Sequence, residues 1–151
     1  YTVIECPEWV NVIAVTPHRE LVLVRQWRHG IRQFTLEIPG GLVDPGEDPR
    51  EAATREVREE TGFSGSAAVE LGVAQSNPAI FNNNLHTYLI EDCQIAGGLE
   101  LDDGEDIEVV LLPLSDIPTL TRQGTIVHSL VWCGFWWLAL QRPDLLSLGT
   151  T

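Results

Sequence analysis

Three glutamates lie close together in the middle of the chain, at Glu56, Glu59 and Glu60. In an α-helix their spacing of i, i+3 and i+4 puts all three side chains on one face. Like charges this close repel one another, so the arrangement alone adds nothing to folding. A hard divalent cation would reverse the repulsion, because Mg²⁺ and Mn²⁺ prefer carboxylate oxygens. The alternative interpretation is a solvated acidic face with Arg55 and Arg58 as neighbours.

The segment that carries these glutamates has helix signals at both ends. Asp48 can cap the N-terminus, Pro49 suits the first helical position, and Glu51 completes a pair that resembles a capping box. Gly62 is well placed to end the helix. The sequence therefore predicts a helix over 49–61, with Ala52, Ala53 and Val57 on its buried side.

The rest of the chain contains mainly strand-like segments. Runs of β-forming residues predict strands over 10–15, 21–27, 34–38, 67–73, 85–90 and 107–112. A loop is expected over 42–47, and two later helices over 115–122 and 125–141, the last one capped by Thr125. This order predicts an α/β (α+β) fold in which helices enclose a mixed β-sheet. We expect a single domain over 1–151.

The charge of the chain limits its partners. The 151 residues include 22 acids and 9 bases, which gives a net charge of −13. Non-specific binding to nucleic acids or to anionic membranes needs basic patches, so we expect neither. The same acidity is unexpected for an enzyme with an anionic substrate, unless bound cations offset it.

The sequence also bears on the compartment. Cys6, Cys93 and Cys133 are odd in number and have no CxxC spacing, which favours a reducing cytoplasm over a disulfide framework. The longest apolar run, 130–140, is far shorter than the ~20 residues of a membrane span. No signal peptide is visible. Because the chain starts at Tyr1 and contains no Met, we expect the natural N-terminus to lie upstream.

The glutamates belong to a longer motif over residues 41–63, GLVDPGEDPREAATREVREETGF. This segment resembles the Nudix box, GX5EX7REUXEEXGU, at every fixed position and spacing. The strands before it, over 24–28 and 35–40, look like those of relatives that cleave ADP-ribose and nucleoside-diphosphate sugars. The resemblance implies a Nudix-type α/β/α sandwich and an enzyme that hydrolyses a pyrophosphate linked to a nucleoside. Expected products are a nucleoside monophosphate and a sugar phosphate.

The resemblance also implies the metal ligands and the cofactor, Mg²⁺ or Mn²⁺. Glu56 and Glu60 would be the main ligands, with Glu59 sharing a second ion and acting with Glu60 in catalysis. The carbonyl of Gly40 would complete the metal shell. Bound ions of this kind neutralise phosphate charge and lower the pKa of a bound water.

Two further box residues would support these ligands. Glu47 would orient the helix or reach the metal through water. Arg55 would pair with the acidic cluster and hold its shape, a task that suits a planar guanidinium. Arg55 is therefore expected to be structural and not catalytic.

A second acidic cluster occupies 102–108, immediately before a predicted strand. In the ADP-ribose branch a glutamate in a similar loop acts as a base or an extra metal ligand. Glu105 matches that residue best and Asp103 second. A loop of solvated charges is the alternative interpretation.

Four residues are candidates for substrate binding. Arg28 and Arg25 could bind a substrate phosphate, although an arginine in an ion pair is equally consistent with the sequence. Glu37 recurs in the strand before the family's box, with either a structural or a ligand-binding role. Pro78 resembles a marker of ADP-ribose hydrolases, but the Asn-rich residues 82–84 that follow it depart from that marker. They could bind a sugar or simply form a turn.

The predicted C-terminal helix is apolar on nearly all sides and carries Trp132, Phe135, Trp136 and Trp137. Core packing uses one side of such a helix, so a homodimer interface is expected on another. Two other functions stay open at this point. One is a housecleaning nucleoside-triphosphate hydrolase. The other is a non-catalytic Nudix-fold sensor of nucleotide sugars, against which the intact box argues.

Overall fold

The computed structural model describes residues 2–101 and 106–146. Its strands are β1 Trp9–Val15, β2 Glu20–Arg28, β3 Gln33–Glu37, β4 Gly40–Leu42, β5 Phe63–Ser64, β6 Val69–Gln75, β7 Asn84–Ile90, β8 Gln94–Ile95 and β9 Ile107–Pro113. Its α-helices are α1 Pro49–Thr61, α2 Ile117–Arg122 and α3 Ser129–Gln141, with a 3₁₀ turn at Leu114–Asp116 before α2.

Seven strands form one mixed sheet. Its main order is β3-β2-β1-β7-β6, with β4 paired to β1 and β9 paired to β2. The β1–β7 pair is parallel, and the other pairs are antiparallel. Strands β5 and β8 form a separate two-stranded ladder. The mixed sheet expected from the sequence is confirmed.

Each face of the sheet has its own apolar core, because alternate strand residues point to opposite sides. On one side Val10 and Val12 pack with Ala53 and Val57 of α1. On the other, residues of β1 and β2 pack with α3, where Val131, Phe135 and Leu138 are buried. Helices thus cover both faces, which makes the α/β/α sandwich.

Helix α1 has the predicted boundaries, 49–61. The Asp48 carboxylate accepts a hydrogen bond from the Arg50 N–H at 2.8 Å, and Pro49 opens the helix. Gly62 ends it with φ of 71°, a left-handed conformation that glycine adopts without a Cβ clash. The buried side is Ala52, Ala53 and Val57, as expected. Local signals alone therefore define the element that carries the three glutamates.

Several elements differ from the sequence expectation. The helix expected over 115–122 is a 3₁₀ turn followed by α2, the strand expected over 67–73 is β6 at Val69–Gln75, and the short strands β5 and β8 were not expected. Two further differences concern α3 and β4. Helix α3 begins at Ser129, four residues after the expected start, and its cap is His128 instead of Thr125. The Thr125 N–H bonds back to the Leu120 carbonyl, which closes the turn after α2. Residues 40–42 form strand β4, although Gly40 and Gly41 were expected to end the preceding strand and a loop was expected from residue 42. Within the described residues, no helix combines the length and the apolar character needed to cross a membrane.

Candidate active site

Strand β4 brings two glycines against α1. Gly40 and Gly41 lie opposite Asn11 and Val10 of β1. The Gly40 N–H donates to Oε2 of Glu60 at 2.9 Å. A Cβ at Gly40 would overlap the Val10 backbone carbonyl of β1, so only glycine permits this close approach, and a Cβ at Gly41 would displace the Glu56 carboxylate. The strand that the sequence did not predict therefore places the backbone at the start of the box beside its glutamates.

Arg55 organises the outer part of this cluster. Its Nε and Nη2 donate to the two carboxylate oxygens of Glu47, each at 2.9 Å, and Nη2 also donates to the Leu42 carbonyl at 2.9 Å. Its Nη1 donates to Glu56 at 2.8 Å and to Glu59 at 3.0 Å. The hydrogen bonds from Arg55 hold the pKa of Glu47 below its ordinary value. Arg55 thus has the supporting position that the resemblance implied.

The chemistry of this cluster suits a hard divalent cation. Glu56, Glu59 and Glu60 are carboxylates on one helix face, and the Gly40 backbone lies against them. Among residues 2–101 and 106–146, no three acidic, histidine or cysteine side chains already converge as a ligand set. Glu56 and Glu59 both accept hydrogen bonds from Arg55, whereas Glu60 accepts one from Gly40. A bound ion would draw the three carboxylates together from these positions.

Glu60 has the most unusual environment of the three. Only 4% of its surface is exposed, which is unusual for a charged side chain. A buried carboxylate is costly unless hydrogen bonds or cations compensate it. The Gly40 N–H supplies one such bond. Burial beside the glycines is what a metal ligand would show, and a solvated acidic face would not.

A cleft of about 390 Å³ opens next to Glu60. It is bounded by β1, by the ends of β2 to β4 and by the start of α3. Its polar side chains are Asn11, Gln26, Arg28, Glu37, Glu60 and His128. Its size and mix of apolar walls with a few polar groups are typical of small-molecule sites.

Glu37 lies at the base of this cleft and is 3% exposed. Arg28 donates to both of its oxygens, from Nε at 2.8 Å and from Nη2 at 2.7 Å. The Thr35 hydroxyl donates to Oε1 as well. Burial raises the pKa of Glu37, but the hydrogen bonds from Arg28 and Thr35 outweigh it and hold that pKa below its ordinary value. Glu37 is therefore an ionised carboxylate that fixes the Arg28 side chain at the cleft.

The structure does not bring all the expected substrate-binding residues to the cleft. Arg25 is three residues from Arg28, so strand alternation places it on the opposite face. There it pairs with Glu108 at 3.1 Å, and its guanidinium lies 4.1 Å from the Phe34 ring centroid. Pro78 is exposed in the turn after β6 and does not line the cleft. Glu105 and Asp103 lie outside the described residues.

The Asn-rich loop has a structural task in this chain. Asn82 accepts a hydrogen bond from the Cys6 N–H at 3.1 Å, and Asn83 donates to the Pro7 carbonyl at 2.9 Å. Asn83 also accepts from Ser76 at 3.1 Å. These contacts tie the segment before β1 to the β6–β7 connection, so the turn interpretation is the one the structure favours.

Three polar cleft residues, Asn11, Gln26 and His128, were not singled out from the sequence. His128 was placed inside a helix, and a histidine cap is not among the preferred cap residues. Asn11 sits within the apolar run of β1, where it is 6% exposed. Its Nδ2 donates to the Leu130 carbonyl at 2.8 Å, which anchors the start of α3 to β1. A polar residue in a buried strand was the available signal.

Comparison with known proteins agrees with this geometry. A NUDIX domain profile matches residues 8–130. An ADP-ribose pyrophosphatase of Bacillus subtilis is 30% identical over 128 residues, covering 84% of this chain and 69% of that protein. An ADP-sugar pyrophosphatase of Mus musculus is 34% identical over 116 residues, 73% of this chain and 53% of that protein.

A solved structure leads to the same family. The crystal structure of an ADP compounds hydrolase superposes with a TM-score of 0.80 at 26% identity, covering 95% of this chain and 75% of that one. The matched residues include the whole box, the glycine strand that meets it and the base of the cleft. With the box glutamates on α1 and the sheet enclosed by helices, the chain belongs to the Nudix family of hydrolases.

Proposed function

We propose that this chain hydrolyses the pyrophosphate of ADP-ribose or a related nucleoside-diphosphate sugar to a nucleoside monophosphate and a sugar phosphate. The observation that carries the proposal is the buried Glu60 at the mouth of a cleft, on a helix face with Glu56 and Glu59. The similar proteins named for ADP-ribose, ADP-sugars and ADP compounds support this substrate class. The strands before the box, with Arg28 and Glu37 in the cleft, support it too.

Nudix hydrolases generally use a divalent metal ion, and we take Mg²⁺ or Mn²⁺ as the ion here. Glu56, Glu59, Glu60 and the Gly40 carbonyl would hold it. When bound, the metal neutralises phosphate charge and lowers the pKa of a coordinated water. Such ions also explain how a chain of net charge −13 accepts an anionic substrate.

The protein's own contribution is positioning and charge placement. Arg55 keeps Glu56 and Glu59 in place on α1. Arg28, oriented by its two bonds to Glu37, presents positive charge to the cleft where the pyrophosphate would lie. Pre-arranged charges of this kind stabilise developing negative charge without reorganising during the reaction.

A substrate panel tests the proposal. ADP-ribose, ADP-glucose, UDP-glucose, GDP-mannose and deoxynucleoside triphosphates are incubated with Mg²⁺ or Mn²⁺, and products are separated by chromatography. We expect a nucleoside monophosphate and a sugar phosphate from at least one of the first four substrates, and no turnover after exhaustive EDTA treatment. Inorganic phosphate as first product, turnover of the triphosphates alone, or full activity after EDTA would contradict the proposal. Tight binding of a nucleotide sugar without turnover would indicate a sensor.

The setting of this enzyme is part of the proposal. The three cysteines are free thiols, which supports a reducing cytoplasm. The strong net negative charge supports a small-molecule partner over nucleic acid or a membrane surface. We also expect a homodimer, for which the exposed aromatic residues of α3 are the reason.

A further inference from the structure

His128 is held in a defined orientation at the start of α3. The backbone N–H of Leu130 donates to its Nδ1 at 3.1 Å, which caps the helix. A ring nitrogen that accepts a hydrogen bond carries no proton, so the proton of the neutral ring is on Nε2. Nε2 is therefore a fixed N–H donor, and it lies toward the cleft that His128 lines.

This donor faces the buried carboxylate of Glu37 without reaching it. Nε2 is 3.9 Å from Oε2 of Glu37, too far for a direct hydrogen bond. Oε1 of Glu37 already accepts from both Arg28 and Thr35. Oε2 accepts from Arg28 alone among the hydrogen bonds of the described residues, and a carboxylate oxygen can accept two. The gap thus has an oriented donor on one side and spare acceptor capacity on the other.

The width of the gap fits one oxygen atom. An oxygen about 2.8 Å from each atom would have its two hydrogen bonds at an angle of roughly 90°, within the range a hydroxyl tolerates. That oxygen must accept from Nε2–H and donate to Oε2. A hydroxyl does both. A phosphate oxygen cannot donate, and Glu37 would repel its charge.

A substrate that binds beside the box glutamates and extends along the cleft reaches this gap. Arg28 and His128 line both the main cleft and an adjoining hollow of about 520 Å³, formed by residues 28–35 and 127–129. A molecule with its pyrophosphate beside Glu60 and Arg28 would continue past His128 into that hollow.

We infer that His128 and Glu37 form a sugar-hydroxyl subsite, in which one ribose or hexose hydroxyl bridges His128 Nε2 and Glu37 Oε2. The subsite rests on the proposed function and defines its specificity: a sugar with a hydroxyl at one position is preferred over the corresponding deoxy sugar. The hydroxyl belongs either to the nucleoside ribose or to the sugar on the other phosphate, and both share the same chemistry.

Monodeoxy analogues of ADP-ribose test the subsite. The wild-type chain is assayed on ADP-ribose and on analogues lacking one hydroxyl of either the adenosine ribose or the terminal ribose. The same series is run with His128→Asn, because asparagine is a strong helix cap that keeps the α3 cap but removes the Nε2 donor. His18→Asn, in the exposed β1–β2 turn, is the matched control. Unfolding temperatures of all three proteins are recorded.

We expect one analogue to lower the wild-type kcat/KM about tenfold, the cost of leaving an oriented donor and acceptor unpaired. In His128→Asn the penalty for that same analogue should fall to within about twofold, while His18→Asn should keep it. The ribose that carries the sensitive hydroxyl identifies its source. A general loss of stability would lower activity on every analogue alike and leave their ratios unchanged.

Two results would overturn the inference while leaving the proposed function intact. One is a wild-type chain that tolerates every monodeoxy analogue, which would mean that only water bridges the gap. Another is a His128→Asn variant that keeps the full wild-type discrimination. If His128→Asn does not fold, His128→Ser takes its place and the wild-type series still decides. Absence of turnover on every nucleotide sugar would instead contradict the proposed function, and this subsite with it.

Discussion

At the scale of single residues, Glu60 combines two properties that seldom occur together. It is a charged side chain with almost no exposed surface, and it lies at the edge of an open cleft. The Gly40 backbone N–H donates to it, and it shares a helix face with the carboxylates of Glu56 and Glu59. A residue placed at such cost is more easily explained by ligand chemistry than by folding.

The substitution Glu60→Gln isolates that charge. The glutamine side-chain oxygen can still accept from the Gly40 N–H, so the unfolding temperature should stay close to that of wild type. The lost carboxylate would act mainly in the transition state, and kcat should fall on the order of 10²–10³-fold. Steady-state kinetics with Mg²⁺ and a thermal melt measure both quantities. A kcat within threefold of wild type would show that Glu60 has been misassigned.

Arg55 makes a different prediction, because its role depends on the shape of the guanidinium. Its three nitrogens contact Glu47, Glu56, Glu59 and the Leu42 carbonyl together, which a lysine ammonium cannot do. Arg55→Lys should therefore lower the unfolding temperature, and it should also lower kcat about tenfold. Arg58→Lys is the control, since Arg58 lies on the same helix and forms one exposed ion pair, with Glu100. Equal effects of the two substitutions would argue against an organising role for Arg55.

At the scale of elements, predictability follows how local the determinants are. Helix α1 is specified by Asp48, Pro49 and Gly62 at its own ends, so its bounds were predictable from the sequence. The cleft is not local, because it needs β4 against β1 and the start of α3 against Asn11. Those pairings join residues far apart in the chain. The sequence therefore placed the three glutamates on one helix face and named Arg28 and Glu37, but it did not identify Asn11 and His128 on the α3 side of the cleft.

The arginines illustrate an element-level rule that the sequence did contain. Arg25 and Arg28 are an odd number of residues apart on β2, so they had to face opposite sides of the sheet. Only one of them could share a face with Glu37. Which of the two arginines faces Glu37 depends on how β2 pairs with β3. In that pairing Arg28 lies opposite Gln33, and its side chain reaches Glu37.

Residues 102–105 lie outside the described residues, shortly before β9. On their N-terminal side, the Glu100 N–H donates to the Glu59 carbonyl of α1 at 2.9 Å. On their C-terminal side, Ile107 pairs with Gln26 of β2. We propose Glu105, which lies outside the described residues, as the general base that the family resemblance implies.

Glu105→Gln should lower kcat by about 10²–10⁴-fold, the usual contribution of a general base. Asp102→Asn and Asp106→Asn should stay within a few-fold of wild type, as solvated charges. Asp103 is the second candidate, because a register shift of two residues would exchange its role with that of Glu105. Kinetics of the four single variants decide between them. Four equally mild effects would leave the base within the box, with Glu59 the first candidate.

At the scale of the whole molecule, α3 carries apolar surface on two sides. Val131, Phe135 and Leu138 are buried against the sheet. Trp132, Trp136 and Leu140 follow one another at four-residue intervals and are 45%, 65% and 54% exposed. This spacing forms a stripe along one face of the helix. Exposed apolar stripes of this kind usually mark an interface.

A twofold-symmetric dimer would bury the stripe of one copy against that of another, because the same patch serves both partners. Light scattering at micromolar concentration should then give a mass about twice the 16.8 kDa of the chain. Trp136→Arg places a charge in the centre of the stripe and should shift the mass to that of one chain. Ile95→Arg, at an apolar residue that is 77% exposed on β8, is the matched control and should remain dimeric. A wild-type mass near that of one chain would mean that there is no dimer. A dimeric Trp136→Arg variant would mean that the interface does not lie on this stripe.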